Sequence, residues 1–310
     1  MKKSSLITRL ITAAFFTSLV MIACKKENSG SLTPSEEEQA ANFSAQSETE
    51  NEVVFNDVFD NVLGVNSEVG IGGTGIFGRV ATSVNGKDFN LDTLPSCTHI
   101  TVTRLNLPNA FPVRIVIDFG AAGCLGNDGR TRYGKIITEY SGRLIEPGSS
   151  ATTIFDGFRI DSFSVQGTHK ITNTTAAGSN QRQFTIDITD GKITKPNGNY
   201  SLWTSHRVIT QIEGNGTPFI PQDDIFRVTG YAHGRIKHGD VIYAWQSEIT
   251  NPLIKKFICH WISQGTIKVR RETLPDNSQW TAVLDYGQGS CDFYATLTIN
   301  GNVHQIQLPH

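Results

Sequence analysis

The sequence predicts an all-β protein, a large antiparallel meander or sandwich with an internal duplicated disulfide module and one short N-terminal helix. Short runs of β-branched and aromatic residues, which are typical of strands, follow one another along most of the chain. Asn-Gly and Asp-Gly dipeptides separate several runs and indicate tight hairpins between antiparallel neighbours. The 29 glycines suit frequent turns. An all-β fold of this kind needs no crossover helices.

The helix is expected first, at about Val53 to Leu63. Val54, Val58 and Val62 recur every four residues there, which is the period of an apolar helix face, and Gly64 is expected to end it. The clearest strand runs follow at Val113 to Phe119, Phe184 to Ile188, Val241 to Trp245 and Thr296 to Ile299. The predicted hairpin turns are Asn85-Gly86, Asp190-Gly191 and Asn300-Gly301.

Two stretches of the chain repeat one pattern. Ile117 to Cys124 and Leu284 to Cys291 place an apolar residue, Asp, an aromatic residue, Gly and Cys in the same order, with Cys six residues after Asp. Each Asp is expected to cap its glycine turn with its carboxylate, and the alternative is a pair of catalytic carboxylates. The pattern predicts a duplicated module in related segments at about 97–145 and 259–306.

Four cysteines lie within these segments, and they predict two disulfides. A module that was copied whole should keep its own bond, which pairs Cys97 with Cys124 and Cys259 with Cys291. The alternative is a four-cysteine metal site, but the chain has no C-x-x-C pair and the gaps do not resemble the spacing of zinc ligands. No cofactor is expected.

The N-terminus predicts export. Lys2, Lys3 and Arg9 precede an apolar run from Leu10 to Ile22, whose 13 residues are too few to cross a bilayer that needs about 20. A small residue and then Cys24 follow, and this arrangement resembles the bacterial lipobox. The resemblance implies a signal peptide over residues 1–23, cleavage before Cys24, and lipid chains on Cys24 that hold the protein to a membrane. The alternative is an ordinary secreted protein.

Residues 24–52 are expected to form a lipidated flexible tether. Lys25 to Glu52 contain seven Glu and one aromatic residue, too little apolar surface to offset the entropy of ordering. The Cys24-Lys25-Lys26-Glu27 start resembles envelope lipoproteins of the Bacteroidota, and Asp92-Thr93-Leu94 resembles the periplasmic O-glycosylation acceptor of proteins from that phylum. The remaining residues, 53–310, are predicted to form a single β-rich domain.

Cleavage would change the formal net charge of −2 to about −5, because it removes three basic residues. Nucleic acid is therefore not an expected partner. The tryptophans all lie in the C-terminal half, and sheet-core packing is favoured for them over sugar or lipid stacking. They are Trp203, Trp245, Trp261 and Trp280.

Several motifs have plain structural interpretations. Gly70 to Gly75 fits G-x-G-x-x-G, but a helix precedes it and a strand follows, so a glycine hinge is favoured over a dinucleotide site. His233 and His238 have an odd separation, which places them on opposite faces of a strand without a bulge. Asn127-Asp128-Gly129 and Asp223-Asp224 have too few acids at alternate positions for calcium. No metal site is predicted.

The sequence favours a non-catalytic envelope lipoprotein that binds a ligand or partner. The first copy is eight residues longer than the second between its second cysteine and its hairpin turn, and this extra stretch is the candidate binding loop. Its candidate residues are Asn127, Asp128, Arg130 and Arg132. The expected partners are a membrane, through the lipid anchor, and an envelope protein, glycan or lipid, with the outer membrane as the expected location. The alternative is an exported hydrolase that acts on glycans or lipids.

Overall fold

The computed structural model describes residues 32–63, 97–126, 129–217 and 221–308. These residues contain one α-helix, α1 (Pro34–Leu63), a short 3-10 turn (Pro221–Asp223) and fourteen strands. The strands are β1 (His99–Arg104), β2 (Val113–Asp118), β3 (Cys124–Leu125), β4 (Thr131–Tyr140), β5 (Ser150–Ile160), β6 (Phe163–Asn173), β7 (Gln183–Thr194), β8 (Tyr200–Glu213), β9 (Ile225–His238), β10 (Val241–Lys256), β11 (Gln264–Arg271), β12 (Ala282–Gln288), β13 (Tyr294–Ile299) and β14 (Asn302–Gln307).

The strands form one antiparallel meander. Each strand pairs with the next along the chain from β1 to β14, except that β2 pairs directly with β4 and the short β3 lies beside β4. The predicted all-β fold with one helix is confirmed. All four strand runs predicted above lie within strands of the sheet, apart from Phe119, which follows β2.

The sheet curls around α1. The helix contacts β6 and every strand from β8 to β13, and every residue from Asn51 to Leu63 is buried on all sides of the helix. The apolar part of the core forms where Phe55 packs on Trp203 and Phe59 packs on Phe184 and Phe226. An element that is buried all round belongs to the core of the fold.

The prediction of a flexible tether is wrong for residues 34–52, because they belong to this buried helix. The helix begins at Pro34 rather than near Val53. A capping box starts it: the Thr33 backbone N–H donates to Glu36 at 2.8 Å, and the Glu36 N–H donates to the Thr33 hydroxyl at 3.4 Å. Pro34 occupies the first helical position, where its missing N–H costs nothing.

Both predicted disulfides are confirmed. Cys97 bonds to Cys124, and Cys259 bonds to Cys291, with Cα–Cα distances of 5.5 and 5.8 Å. In both copies the aspartate caps its turn. Gly120 N–H donates to Asp118 Oδ1 at 2.9 Å, and Gly287 N–H donates to Asp285 Oδ1 at 2.9 Å. These aspartates therefore have the structural role that was favoured for them.

The predicted turns have mixed outcomes. Asn300-Gly301 joins β13 to β14 with φ values of 50° and 79°, as a type I′ hairpin requires. Asp190-Gly191 is wrong as a hairpin, because it lies inside β7, where the pairing with β8 shifts register between Ile188 and Gly191. Asp190, at φ 53°, forms a β-bulge there, and a bulge of this kind needs the same positive φ as the predicted turn. Asn85-Gly86 and Gly70 to Gly75 lie outside the described residues.

Candidate ligand-binding cleft

The interior of the sheet is occupied by the charged side chains of α1 and their partners. Acidic residues of the helix meet basic residues of the strands in a series of ion pairs whose members are all at most 7% exposed. The pairs and their N–O distances are Glu37–Arg271 at 2.6 Å, Glu48–Arg207 at 2.7 Å, Asp57–Arg132 at 2.7 Å and Asp60–Lys255 at 2.7 Å.

Glu48 is the centre of the largest of these networks. Its carboxylate accepts hydrogen bonds from Arg207 at 2.7 Å, Trp203 Nε1 at 2.8 Å and the Ser247 hydroxyl at 2.8 Å. Burial raises the pKa of Glu48 above its ordinary value, although the Arg207 charge opposes that effect. Because the carboxylates of α1 are paired with strand residues, the network fixes the helix in place.

The structure does not support a ligand-binding role for the two arginines of the candidate binding loop. Arg132 is fully buried and pairs with Asp57 of α1. Arg130 is 3% exposed and donates to Asp161 Oδ2 and His260 Nε2, both at 3.1 Å. These side chains attach the start of β4 to the helix and to neighbouring loops, so neither presents its charge to a ligand in solvent. Asn127 and Asp128 lie outside the described residues.

An open cleft of about 940 Å³ lies over β9, β10 and β11. Residues of the segment after β11, including Glu272, Asp276 and Thr281, complete its lining. Arg270 fixes this segment, because its guanidinium pairs with Asp276 and donates to the Leu274 carbonyl. The volume is within the usual range for small-molecule sites.

A row of polar side chains crosses the sheet at this cleft. Cross-strand pairing places Asp187 of β7 opposite His206 of β8, His206 opposite Tyr231 of β9, Tyr231 opposite Glu248 of β10, and Glu248 opposite Lys268 of β11. Side chains at directly paired positions lie on the same face of a sheet, with Cβ atoms about 5 Å apart. The sheet therefore presents five functional groups in one line.

Part of this row is fixed by contacts within the protein. His206 Nδ1 lies 2.7 Å from Asp187 Oδ1, and the His206 ring lies 5.6 Å from the ring of Tyr231. In contrast, Tyr231, Glu248 and Lys268 are exposed, as is His233 beside them. Across the described ranges, none of these four side chains has a hydrogen-bonding or ion-pair partner in the protein. Their polar groups are therefore available to a ligand.

His206 and Asp187 form the one histidine–carboxylate pair in this row. Asp187 is the hydrogen-bond partner of His206, and within the described part of the chain neither a serine hydroxyl nor a second carboxylate is bonded to this pair. A Ser-His-Asp arrangement needs a nucleophile within reach of the imidazole.

His233 and His238 lie in different surroundings. His233 lines the cleft, whereas His238 stacks on Phe43 of α1 with ring centroids 3.8 Å apart. Among the described residues no three metal-ligating side chains cluster. Asp223 and Asp224, which were compared with calcium ligands in the sequence, have hydrogen-bond partners within the protein. Asp223 accepts from Thr217 at 2.6 Å, and Asp224 accepts from Gln211 at 2.6 Å.

Trp203 and Trp245 are fully buried, as expected for core residues, and Trp261 and Trp280 pack partly buried against the core. Sequence reasoning missed the cleft because its residues come from three strands and the segment after β11, which lie far apart in the chain. One local signal was present: Arg227, Thr229, Tyr231 and His233 alternate with buried residues along β9, which marks one solvent-facing side of that strand.

Comparison of the chain with known protein families, curated proteins and solved structures finds no match. No helix in the described residues is both long and apolar enough to cross a membrane.

Proposed function

We propose that this protein is a lipid-anchored envelope protein whose β-domain binds a ligand or partner at the outer-face cleft without catalysing a reaction. One observation carries the proposal. The interior is filled by α1, whereas Tyr231, His233, Glu248 and Lys268 present unpartnered polar groups on the outer face. A protein that exposes such a group of side chains beside a preformed cleft is suited to recognition.

The two disulfides support the location, since such bonds persist outside the cytoplasm. The lipobox resemblance at Cys24 supports a lipid anchor, and the outer membrane is the membrane that we propose. The corrected helix shortens the tether. Because Pro34 is ten positions after Cys24, their Cα atoms are at most about 36 Å apart, and the anchor would hold the domain close to the membrane.

Anchoring is tested by metabolic labelling with a palmitate analogue. The wild-type protein should incorporate the label and fractionate with membranes, and Cys24→Ser should do neither. Incorporation of label into the Cys24→Ser protein would contradict the assignment of the anchor.

Binding at the cleft is tested by placing a photo-crosslinking amino acid at position 231 in the cell. The same amino acid at position 294 is the control, because Tyr294 is also exposed, at 40%, but lies on β13 away from the cleft. We expect a specific adduct from position 231 alone. Equal adducts from both positions, or adducts from neither, would contradict a binding role for the cleft.

The alternative, an exported hydrolase, has one observation in its favour, the exposed pair of His206 and Asp187 at 2.7 Å. If this pair acted as a general base, His206→Ala would abolish turnover of a glycan or lipid ester by the purified protein. Turnover that His206→Ala leaves unchanged would exclude this pair as the catalytic base.

A further inference from the structure

The geometry points to an uncharged glycan as the ligand of the cleft, with Tyr231 as the surface on which a sugar ring stacks. This inference rests on the binding function proposed above and names the class of its ligand.

Tyr231 is the side chain best placed to make a stacking contact. It is 57% exposed although it lies in the middle of the sheet, on β9, with paired strands on both sides. His206 approaches its ring on the β8 side, with the two ring planes inclined by 30°. A tyrosine ring offers an apolar face and a polar hydroxyl, and a sugar offers C–H groups on its ring faces and hydroxyls at its edges.

The polar groups around Tyr231 match the hydroxyls of a sugar. The Glu248 carboxylate accepts hydrogen bonds, the Lys268 ammonium donates them, and the His233 imidazole and the tyrosine hydroxyl do both. A sugar hydroxyl is both a donor and an acceptor, so one ligand can satisfy all four groups. Adjacent strands lie about 5 Å apart, so Tyr231, Glu248 and Lys268 extend over about 10 Å of the sheet.

Other ligand classes fit the cleft less well. Arg270 and Asp276 neutralise each other, and the two carboxylates of Glu248 and Glu272 outnumber the single ammonium of Lys268, so the lining disfavours phosphate or sulfate groups. An acyl chain needs an apolar tunnel, and the apolar lining residue Ile249 is itself 8% exposed and part of the core. An extended peptide that adds a strand needs a free edge, but β9, β10 and β11 are each paired on both sides.

The test uses the purified full-length protein in detergent and an array of neutral gluco-, galacto- and manno-oligosaccharides of two to six units, with sulfated oligosaccharides on the same array. We expect at least one neutral oligosaccharide to bind, and Tyr231→Ala to weaken its binding about tenfold, the upper range for loss of an aromatic contact. Tyr231→Phe keeps the ring and should retain most of the affinity. Tyr294→Ala is the matched control and should leave the affinity unchanged.

The outcomes separate this inference from the function on which it rests. If position 231 gives a specific photo-adduct but no neutral oligosaccharide binds, the cleft binds another class of partner and the glycan inference is overturned. Preference for the sulfated oligosaccharides, or neutral binding that Tyr231→Ala does not weaken, also overturns it. If position 231 gives no adduct and no oligosaccharide binds, the inference and the proposed binding function both fail.

Discussion

Replacing Asp57 by Asn should destabilise the protein by about 3 to 5 kcal/mol, the usual cost of removing one partner of a buried ion pair. Asp57 is 4% exposed on α1, and Arg132 is fully buried on β4. Two hydrogen bonds join them, from Arg132 Nη2 to Asp57 Oδ1 at 2.7 Å and from Nε to Oδ2 at 3.4 Å. Asparagine would keep the volume of the side chain but remove the negative charge that faces the buried guanidinium.

The pKa of Asp57 shows how strongly its ionised form is held. Burial raises the pKa, but the charges of Arg132 and Arg130 outweigh burial and hold the pKa well below its ordinary value. A carboxyl with a depressed pKa contributes its full stability above the unfolded value of about 3.9 and loses it as the pH falls below that value. The effect of the substitution should therefore be largest near neutral pH and should shrink in acid.

Urea unfolding at pH 7, followed by the fluorescence of the buried Trp203 and Trp245, measures the change. With a slope of about 3 kcal/mol per molar urea, the midpoint should fall by about 1 to 2 M. The control is Glu139→Gln, which breaks the exposed pair with Arg114, 46% and 48% exposed, and should cost at most about 1 kcal/mol. Equal effects of the two substitutions would refute the placement of α1 inside the sheet.

Three further predictions concern the helix, the disulfides and a buried acid. Deletion of residues 34–52, harmless if they formed a tether, should prevent folding, and circular dichroism with limited proteolysis would show this; a folded deletion variant would contradict the buried helix. Reduction of the disulfides, which close loops of 27 and 32 residues, should cost roughly 3 to 4 kcal/mol each in the chain-entropy model, and an unchanged Tm on reduction would contradict this. Burial raises the pKa of Asp224 to about 7 against the pull of Arg182, so its protonated form favours folding and stability should decline as the pH rises from about 4 to 7. Asp224→Asn should remove that decline in urea titrations at pH 5 to 8, and parallel pH profiles for the two proteins would contradict it.

The features that sequence reasoning predicted correctly depend on neighbours in the chain. The turn at Asn300-Gly301 needs only two residues that tolerate positive φ. The caps at Asp118 and Asp285 are hydrogen bonds to a backbone N–H two residues away. The disulfide pairing also follows from the repeated sequence pattern, because each disulfide closes one hairpin of adjacent strands.

The binding cleft could not be derived in the same way. Tyr231, Glu248 and Lys268 lie far apart in the chain, and the register of three strands brings them together. The bulge at Asp190-Gly191 shows the same limit, because a positive φ at that dipeptide suits either a turn or a bulge and the pairing partner decides between them.

The sequence by itself determined that the described chain would be an antiparallel β-fold with two disulfides, Cys97–Cys124 and Cys259–Cys291. Only the tertiary structure decided where residues 34–52 go. Their acidic, polar composition is typical of a solvated tether when each residue is considered alone. In the folded protein, Glu37 and Glu48 meet Arg271 and Arg207 on strands more than 150 residues away, and these charges make burial of the helix favourable. A segment can be polar and still belong to a core when its counter-charges come from distant parts of the chain.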